Sequence, residues 1–248
     1  VRMQLPRLQT FLPTRFPPSA LGRRLPCIRV LKKLLRRQAP RKSQLIRLHL
    51  SPLLVLGNGT SRKGINPAEI QPYGKIYGCN ALYREFDPDY LVAVDAKMIL
   101  EINKSGYQKN HEVWTNPNKA YARFKGFNYF NPSKGWSSGP TALWLASEHD
   151  NEIIYILGFD YMGLNDGKNF NNIYADTQNY KASKDSATFF GNWMRQTASV
   201  IQNNPKKRYI RVIANDGYIP KDLRKFDNLQ HITVEEFQKI LDNFQDLS

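Results

Sequence analysis

The side chains best equipped for chemistry in this chain follow short apolar runs. Residues 53–61 read Leu-Leu-Val-Leu-Gly-Asn-Gly-Thr-Ser, an aliphatic run stopped abruptly by Gly57, Asn58 and Gly59. Two glycines let the backbone take positive φ and approach a phosphate closely, while Asn58, Thr60, Ser61 and free N–H groups supply donors. An ordinary turn of an α/β domain has the same appearance, so the loop alone fits either a ligand site or a turn. The spacing is not Gly-x-Gly-x-x-Gly, and Arg62-Lys63-Gly64 stand where a P-loop needs Gly-Lys-Ser/Thr. Neither a dinucleotide fingerprint nor a Walker NTPase is supported.

Further along, Ser137, Ser138 and Gly139 precede Pro140 and an apolar helical stretch. That arrangement sets hydroxyls and N–H groups at a helix N-terminus, where the dipole favours phosphate or carboxylate; a plain serine cap is the alternative. The run Glu152 to Leu157 is the strongest strand signal, and it stops at Gly158-Phe159-Asp160-Tyr161. A carboxylate at the carboxyl end of a central strand is placed to accept from ribose hydroxyls or hold a metal, or else to cap the next turn. Asp89 and Asp95 flank another apolar run, Tyr90 to Val94. Six apart on a strand, both point to one face, as a shared metal requires; a turn carboxylate at the sheet edge is the alternative. Leu164 to Asp185 is polar and aromatic with no clean period. A loop that long inside a compact domain reads as a lid, with Tyr174 and Tyr180 as phosphate donors and Lys168 or Lys181 for charge, or as solvated surface.

The elements that position these residues form an α/β pattern. Strands are expected at 53–56, 75–78, 90–94, 111–115, 124–130, 152–157 and, as the last core strand, 209–213. Helices are expected from Pro67, with Asn66 as N-cap, through Tyr83 to Phe86, over 96–104, after Ser138, and over 189–203 and 234–244. Strands apolar on both faces that end in polar residues are what a parallel sheet covered by helices produces. The expected fold is a single Rossmann-like domain over residues 51–248, a mostly parallel sheet flanked by helices, with the lid at about 164–188.

Charge separates the first 50 residues from the rest. The chain of 248 residues has a formal net charge of +15. Residues 1–50 hold 13 of the 36 Lys and Arg and none of the 21 Asp and Glu, which leaves 23 basic against 21 acidic residues beyond them. A near-neutral body has no electrostatic footprint for duplex DNA, so no nucleic acid is expected on the folded domain. Within the basic segment, Ile28, Leu31, Leu34 and Leu35 fall on one helical face among Arg and Lys. It reads as a transit segment, an arm touching anionic membrane or RNA, or a disordered or non-native tail, with the sharp shift at Ser51 favouring the last. Cys27 and Cys79 make no disulfide framework and fit a reducing cytoplasm; no apolar run reaches the ~20 residues that span a bilayer.

The ordered set Leu-Gly-Asn-Gly-Thr-Ser (56–61), Tyr-Gly-Cys-Asn (77–80), Ser-Ser-Gly (137–139) and Ile-Tyr-Ile-Leu-Gly-Phe-Asp-Tyr (154–161) resembles the bacterial sialyltransferases in order and spacing. Those chains run from a Gly-Asn-Gly-Pro-Ser loop through Arg-Cys-Asn and a Thr-Ser-Gly helix start to a Gly-Ile-Asp-Phe strand end. The likeness covers most of residues 52–215 as spaced motifs. It implies a Rossmann-like sheet that binds a CMP-sugar without a cofactor and transfers the sugar to a glycan or small-molecule acceptor. On that likeness Gly57, Asn58, Gly59 and Ser61 line the nucleotide phosphate and sugar, Asn80 and Ser138 contact the donor, and Asp160 holds the ribose. A mutation of Gly59 to Val is then expected to abolish nucleotide binding with the fold intact.

The chain departs from that family at the general base. The family's histidine position corresponds to Asn192, which takes no proton from a hydroxyl at neutral pH. Of the four histidines, His49 lies in the basic segment and His231 near the end. His149 sits at a helix C-terminus, where a charged imidazole is favourable, and His111 opens a weak strand. All read as structural, which leaves Asp95 as the candidate base. A second resemblance is to the archaeal hydroxymethylpterin pyrophosphokinases and their relatives, carried by Asp-Pro-Asp-Tyr-Leu-Val-Ala-Val-Asp (87–95); it implies Mg²⁺ on Asp89 and Asp95 and a nucleoside triphosphate. A third reading is a nucleotide-binding or scaffold protein that has lost catalysis, as Asn192 suggests.

Overall fold

The computed structural model describes residues 51–245. Residues 1–50, with the amphipathic run 28–37, Cys27 and His49, lie outside the described residues. An eight-stranded sheet in the order β5-β4-β3-β2-β1-β6-β7-β8 forms the centre. Its strands are β1 (Leu53–Leu56), β2 (Ile76–Cys79), β3 (Tyr90–Val92), β4 (Val113–Thr115), β5 (Phe127–Tyr129), β6 (Ile153–Leu157), β7 (Arg208–Ile213) and β8 (Leu229–Thr233). Every neighbouring pair is parallel. Parallel strands need covered crossovers. Four of the seven crossovers carry an α-helix, α1 (Pro67–Ile70), α2 (Ala96–Ser105), α3 (Ser138–Glu148) and α4 (Gly191–Asn203), and α5 (Val234–Gln245) follows β8.

The two-residue strand period splits β1 between two cores. Leu54 and Leu56 pack with Ile99 of α2 and Phe237 of α5. Leu53 and Val55 pack with Leu143 of α3 and Ile201 of α4. All four β1 residues are buried, each worth about 1.5–3 kcal/mol in removed apolar surface. A strand so paid for on both faces has one stable register, and the residues beyond its carboxyl end inherit that placement.

Sequence-level boundaries survive with small shifts, and two differences are informative. Residues 83–86 form no helix of their own; a 3₁₀ turn occupies Asn80–Arg84 instead. The strand β8 was not expected, because Leu-Gln-His-Ile-Thr mixes polar and apolar residues as a half-exposed edge does. Asn66 does cap α1, its side chain accepting from Ala68 N–H at 3.1 Å, with Pro67 in the first helical position. Among the described residues no helix is long and apolar enough to cross a membrane.

The three described histidines are all half-buried in the fold, and His149 behaves against expectation. Its imidazole is hydrogen-bonded to the Tyr77 hydroxyl, and burial, then the nearby Lys75 and Lys207, lower its pKa. The shift therefore runs against the charged imidazole that a helix C-terminus would favour. His111 stacks on Tyr107 with ring centroids 3.9 Å apart. On the edge strand, both ring nitrogens of His231 are buried without a hydrogen-bond partner. Burial, then Arg211 and Arg224, push its pKa from 6.5 down to about 4. Between those two values the unfolded chain binds a proton that the folded chain refuses, so stability falls as pH drops from 6.5 and levels off near 4. We expect His231→Phe to flatten that slope in urea unfolding measured from pH 4 to 7, with the smaller contribution of His149 remaining; a wild-type slope in the variant would assign it elsewhere.

Candidate functional site

Strands β1 to β5 proceed away from β1 on one side, and β6 to β8 on the other. The order reverses between β1 and β6, and a crevice opens at their carboxyl ends, where open α/β sheets bind ligands. It encloses ≈ 930 Å³ of space, part of it open to solvent, and is lined by Gly57, Asn58, Gly59, Asn80, Asp95, Ser137, Ser138, Gly139 and Asp160 among others. Seven separate segments of sequence meet there. The four residues that carry the sequence likeness, Asn58, Asn80, Ser138 and Asp160, all line one cavity, although the Asn58 side chain is turned away toward Tyr180.

Close backbone approach shapes its floor. Gly57 N–H donates to Leu157 O at 2.8 Å and Gly59 N–H to Gly158 O at 2.9 Å, extending the β1–β6 ladder past both strands. A Cβ on Gly57 would lie 2.6 Å from Gly158 O, and one on Gly59 2.5 Å from Asp160 Cγ. Contrary to the sequence reading, Gly59 has an ordinary φ of −67°, and the positive φ in this region belongs to Gly158. The β1 loop needs glycine for space rather than for handedness.

Asp160 is held by protein. Its carboxylate accepts from Ser61 N–H at 3.0 Å, from the Ser61 hydroxyl, and from Asn171 Nδ2 at 3.0 Å. Thr60 donates through both its N–H and its hydroxyl to Asn171 Oδ1, each at 2.9 Å. Thr60 and Ser61, expected to touch ligand, are therefore turned into the wall by the 3₁₀ turn Thr60–Arg62. Arg62 is buried, with Nε donating to Gly57 O at 2.6 Å and a terminal nitrogen to the Tyr174 hydroxyl at 3.1 Å. That hydroxyl donates to Glu85 at 2.6 Å, so Tyr174 braces the loop from behind and does not face the crevice. Tyr180 likewise lies behind it, its hydroxyl accepting from Asn58 Nδ2 at 3.3 Å. The segment read as a lid is pinned at this end, where Ile173 N–H donates to Asn58 O at 2.8 Å. Neither Lys168 nor Lys181 lines the cavity.

Opposite Asp160 runs a second chain of polar contacts. Val94 N–H donates to Ser138 Oγ at 3.1 Å, Ser138 Oγ donates to Asn80 Oδ1 at 2.7 Å, and Asn80 Nδ2 donates to Asp95 Oδ2 at 3.4 Å. Asn80 sits at φ 51°, in the left-handed region that asparagine adopts more readily than other non-glycine residues. Asp95 occupies the N-cap of α2 without capping it. Its carboxylate opens into the crevice instead, and partial loss of hydration raises its pKa against the opposing hydrogen bond from Asn80.

Two expected groups are not at the site. Asp89 accepts from Ile76 N–H at 2.8 Å at the amino end of β3, whereas Asp95 follows the carboxyl end. The strand between them is only Tyr90–Val92, so the expected same-face spacing does not hold, and the two carboxylates lie beyond opposite ends of β3 rather than around one metal. Asn192, on the first turn of α4, is exposed and accepts from Arg195; the crevice wall there is Phe190 and Trp193. Set against known protein families, curated proteins and solved structures, the chain finds no match.

Among the described residues, the lining contains two carboxylates, Asp95 and Asp160, and no Lys, Arg or His. Positive charge comes from beneath. Arg211 of β7, 2% exposed, donates to Phe159 O at 2.8 Å, Tyr218 O at 3.0 Å and Asp160 O at 3.1 Å. This buried cation spends its donors on carbonyls, tying the loop after β6 to the one after β7. Neither Arg211 nor Asn171 was picked out from sequence, since nothing in a strand residue or a loop asparagine reveals where its side chain points. No group of three or more His, Cys, Asp and Glu among the described residues is arranged to hold a metal ion.

Proposed function

We propose that this protein is a glycosyltransferase of sialyltransferase-like type, which takes a CMP-sugar in the crevice and passes the sugar to a glycan or small-molecule hydroxyl, in the reducing cytoplasm and without a metal. The observation that supports it is the meeting of Asn58, Asn80, Ser138 and Asp160 around one cavity at the switch point of the sheet. Charge supports the donor class. A wall with two carboxylates and no basic side chain suits a single phosphodiester charge facing the first turn of α3 better than a triphosphate. In this reading Asp95 accepts the acceptor hydroxyl's proton, Asn80 orients that carboxylate, and Asp160 keeps the Ser61 turn in the shape that receives the nucleotide. Nucleotide transfer with Mg²⁺ on an Asp89–Asp95 pair draws no support from the positions of the two side chains.

Thermal unfolding of the full chain with CMP, CDP, UDP, GDP and ATP, each with and without Mg²⁺ or Mn²⁺, tests the proposal. Ligand that binds only the folded state raises the midpoint with concentration. The expected result is stabilisation by CMP above the other nucleotides and independent of metal. Stabilisation by ATP with Mg²⁺ alone, or none by any nucleotide, would overturn it.

A further inference from the structure

The mouth of the crevice carries exposed rings. Phe189 is 70% exposed, Tyr218 43% and Met162 42%, although apolar side chains of this size are normally covered. The rings are joined through Phe190: the Phe189 and Phe190 rings lie 6.3 Å apart and 22° from parallel, and Phe190 meets Tyr218 edge-on at 6.5 Å. Phe190 and Met162 also line the cavity, so the ledge continues its inner wall outward. It is held in place. Arg211 grips Tyr218 O, and Gly191 leaves room for the Phe189 ring, which a Cβ there would strike.

We infer that this ledge is the acceptor subsite, and that its occupant is a pyranose ring lying with its C–H face on Phe189 and Tyr218. The inference rests on the transferase reading for its place in the reaction. Three rings and a methionine are too small for a stable protein interface, which takes about 800 Å² from each partner. The crevice wall offers Thr188, next in sequence to Phe189, and Asn172, hydrogen-bonding groups for the hydroxyl rim of a sugar and of no use to a purely apolar group. An acceptor seated here would project a hydroxyl inward toward the cavity.

Saturation-transfer NMR on the full chain, with methyl glucoside, methyl galactoside and octyl glucoside as probes in the presence and absence of CMP, tests it. Transfer to ring protons is expected in the wild type and should fall by about two- to ten-fold in Phe189→Ala and in Tyr218→Ala, the loss set by one aromatic contact. CMP affinity should stay unchanged in both variants, which also shows that they fold. No transfer to any glycoside, equal transfer in the variants, or transfer confined to the octyl chain overturns the inference. A wild type that binds glycosides on the ledge but not CMP would leave the subsite standing and remove the transferase reading.

Discussion

Asp95→Asn is expected to lower transfer from a CMP-sugar by about 10²- to 10⁴-fold, the range spanned by loss of a positioned general base, while CMP binds as before. The substitution keeps shape and an oxygen that can accept from Asn80, so only the proton-accepting function is removed. The pH profile separates this role from a structural one. Reduced hydration raises the Asp95 pKa, with the Asn80 hydrogen bond opposing. The base form therefore fills at higher pH than for an ordinary carboxylate, and kcat/KM should climb through that raised pKa and level off above it. Asn80→Ala removes the lowering interaction and should move the climb to higher pH; in Asp95→Asn the climb should vanish. Stability should respond the other way. A carboxylate with a raised folded-state pKa costs stability as pH rises past its unfolded value, so the asparagine variant should be no less stable than wild type at pH 7. Residual activity with an unchanged acid limb would place the base on another group.

Much of this site was legible in the sequence because an α/β sheet advertises its carboxyl ends. Wherever a run buried on both faces stops at glycine or a polar residue, as at Gly57, Asn80, Asp95 and Gly158, the stop marks the sheet's ligand edge. What sequence hides is direction. Thr60 and Ser61 have the right chemistry on the right loop, yet a 3₁₀ turn commits both to Asn171 and Asp160. Tyr174 and Tyr180 lie in the expected segment but face the back of the loop. Distance is hidden as well. Period-two reasoning gives Asp89 and Asp95 one face only if a strand runs from one to the other, and β3 stops at Val92. Arg211 was invisible for a different reason: a cation inside a strand reads as an edge residue, until three carbonyls from two other loops are found around it. Asn192 was assigned from its place in a motif order, and one position along the helix separates an exposed side chain from Trp193 in the crevice wall.

The second large effect is expected at Gly59, and it differs from the sequence expectation of lost binding with an intact fold. Any side chain there begins 2.5 Å from Asp160 Cγ and 2.6 Å from Oδ2, closer than real Cβ contacts come. The carboxylate must leave, and with it go the bonds to Ser61 N–H and Asn171. Bonds to a charged acceptor contribute about 1.5–3 kcal/mol each, so Gly59→Val should lose CMP binding and also destabilise the domain by about 2–4 kcal/mol. A generic loop defect would have the same outward signs, and a double-mutant cycle tells them apart. With Asp160→Ala in place the space beside residue 59 is open, and the turn has already lost its acceptor. Gly59→Ala should then cost less in the Asp160→Ala background than in wild type, by urea unfolding of the four chains. Equal costs in both backgrounds would show that the loop requires glycine for some reason other than the approach of Asp160. An unequal cost ties the β1 loop to the strand end after β6, the contact that closes the floor of the crevice and on which a nucleotide would rest.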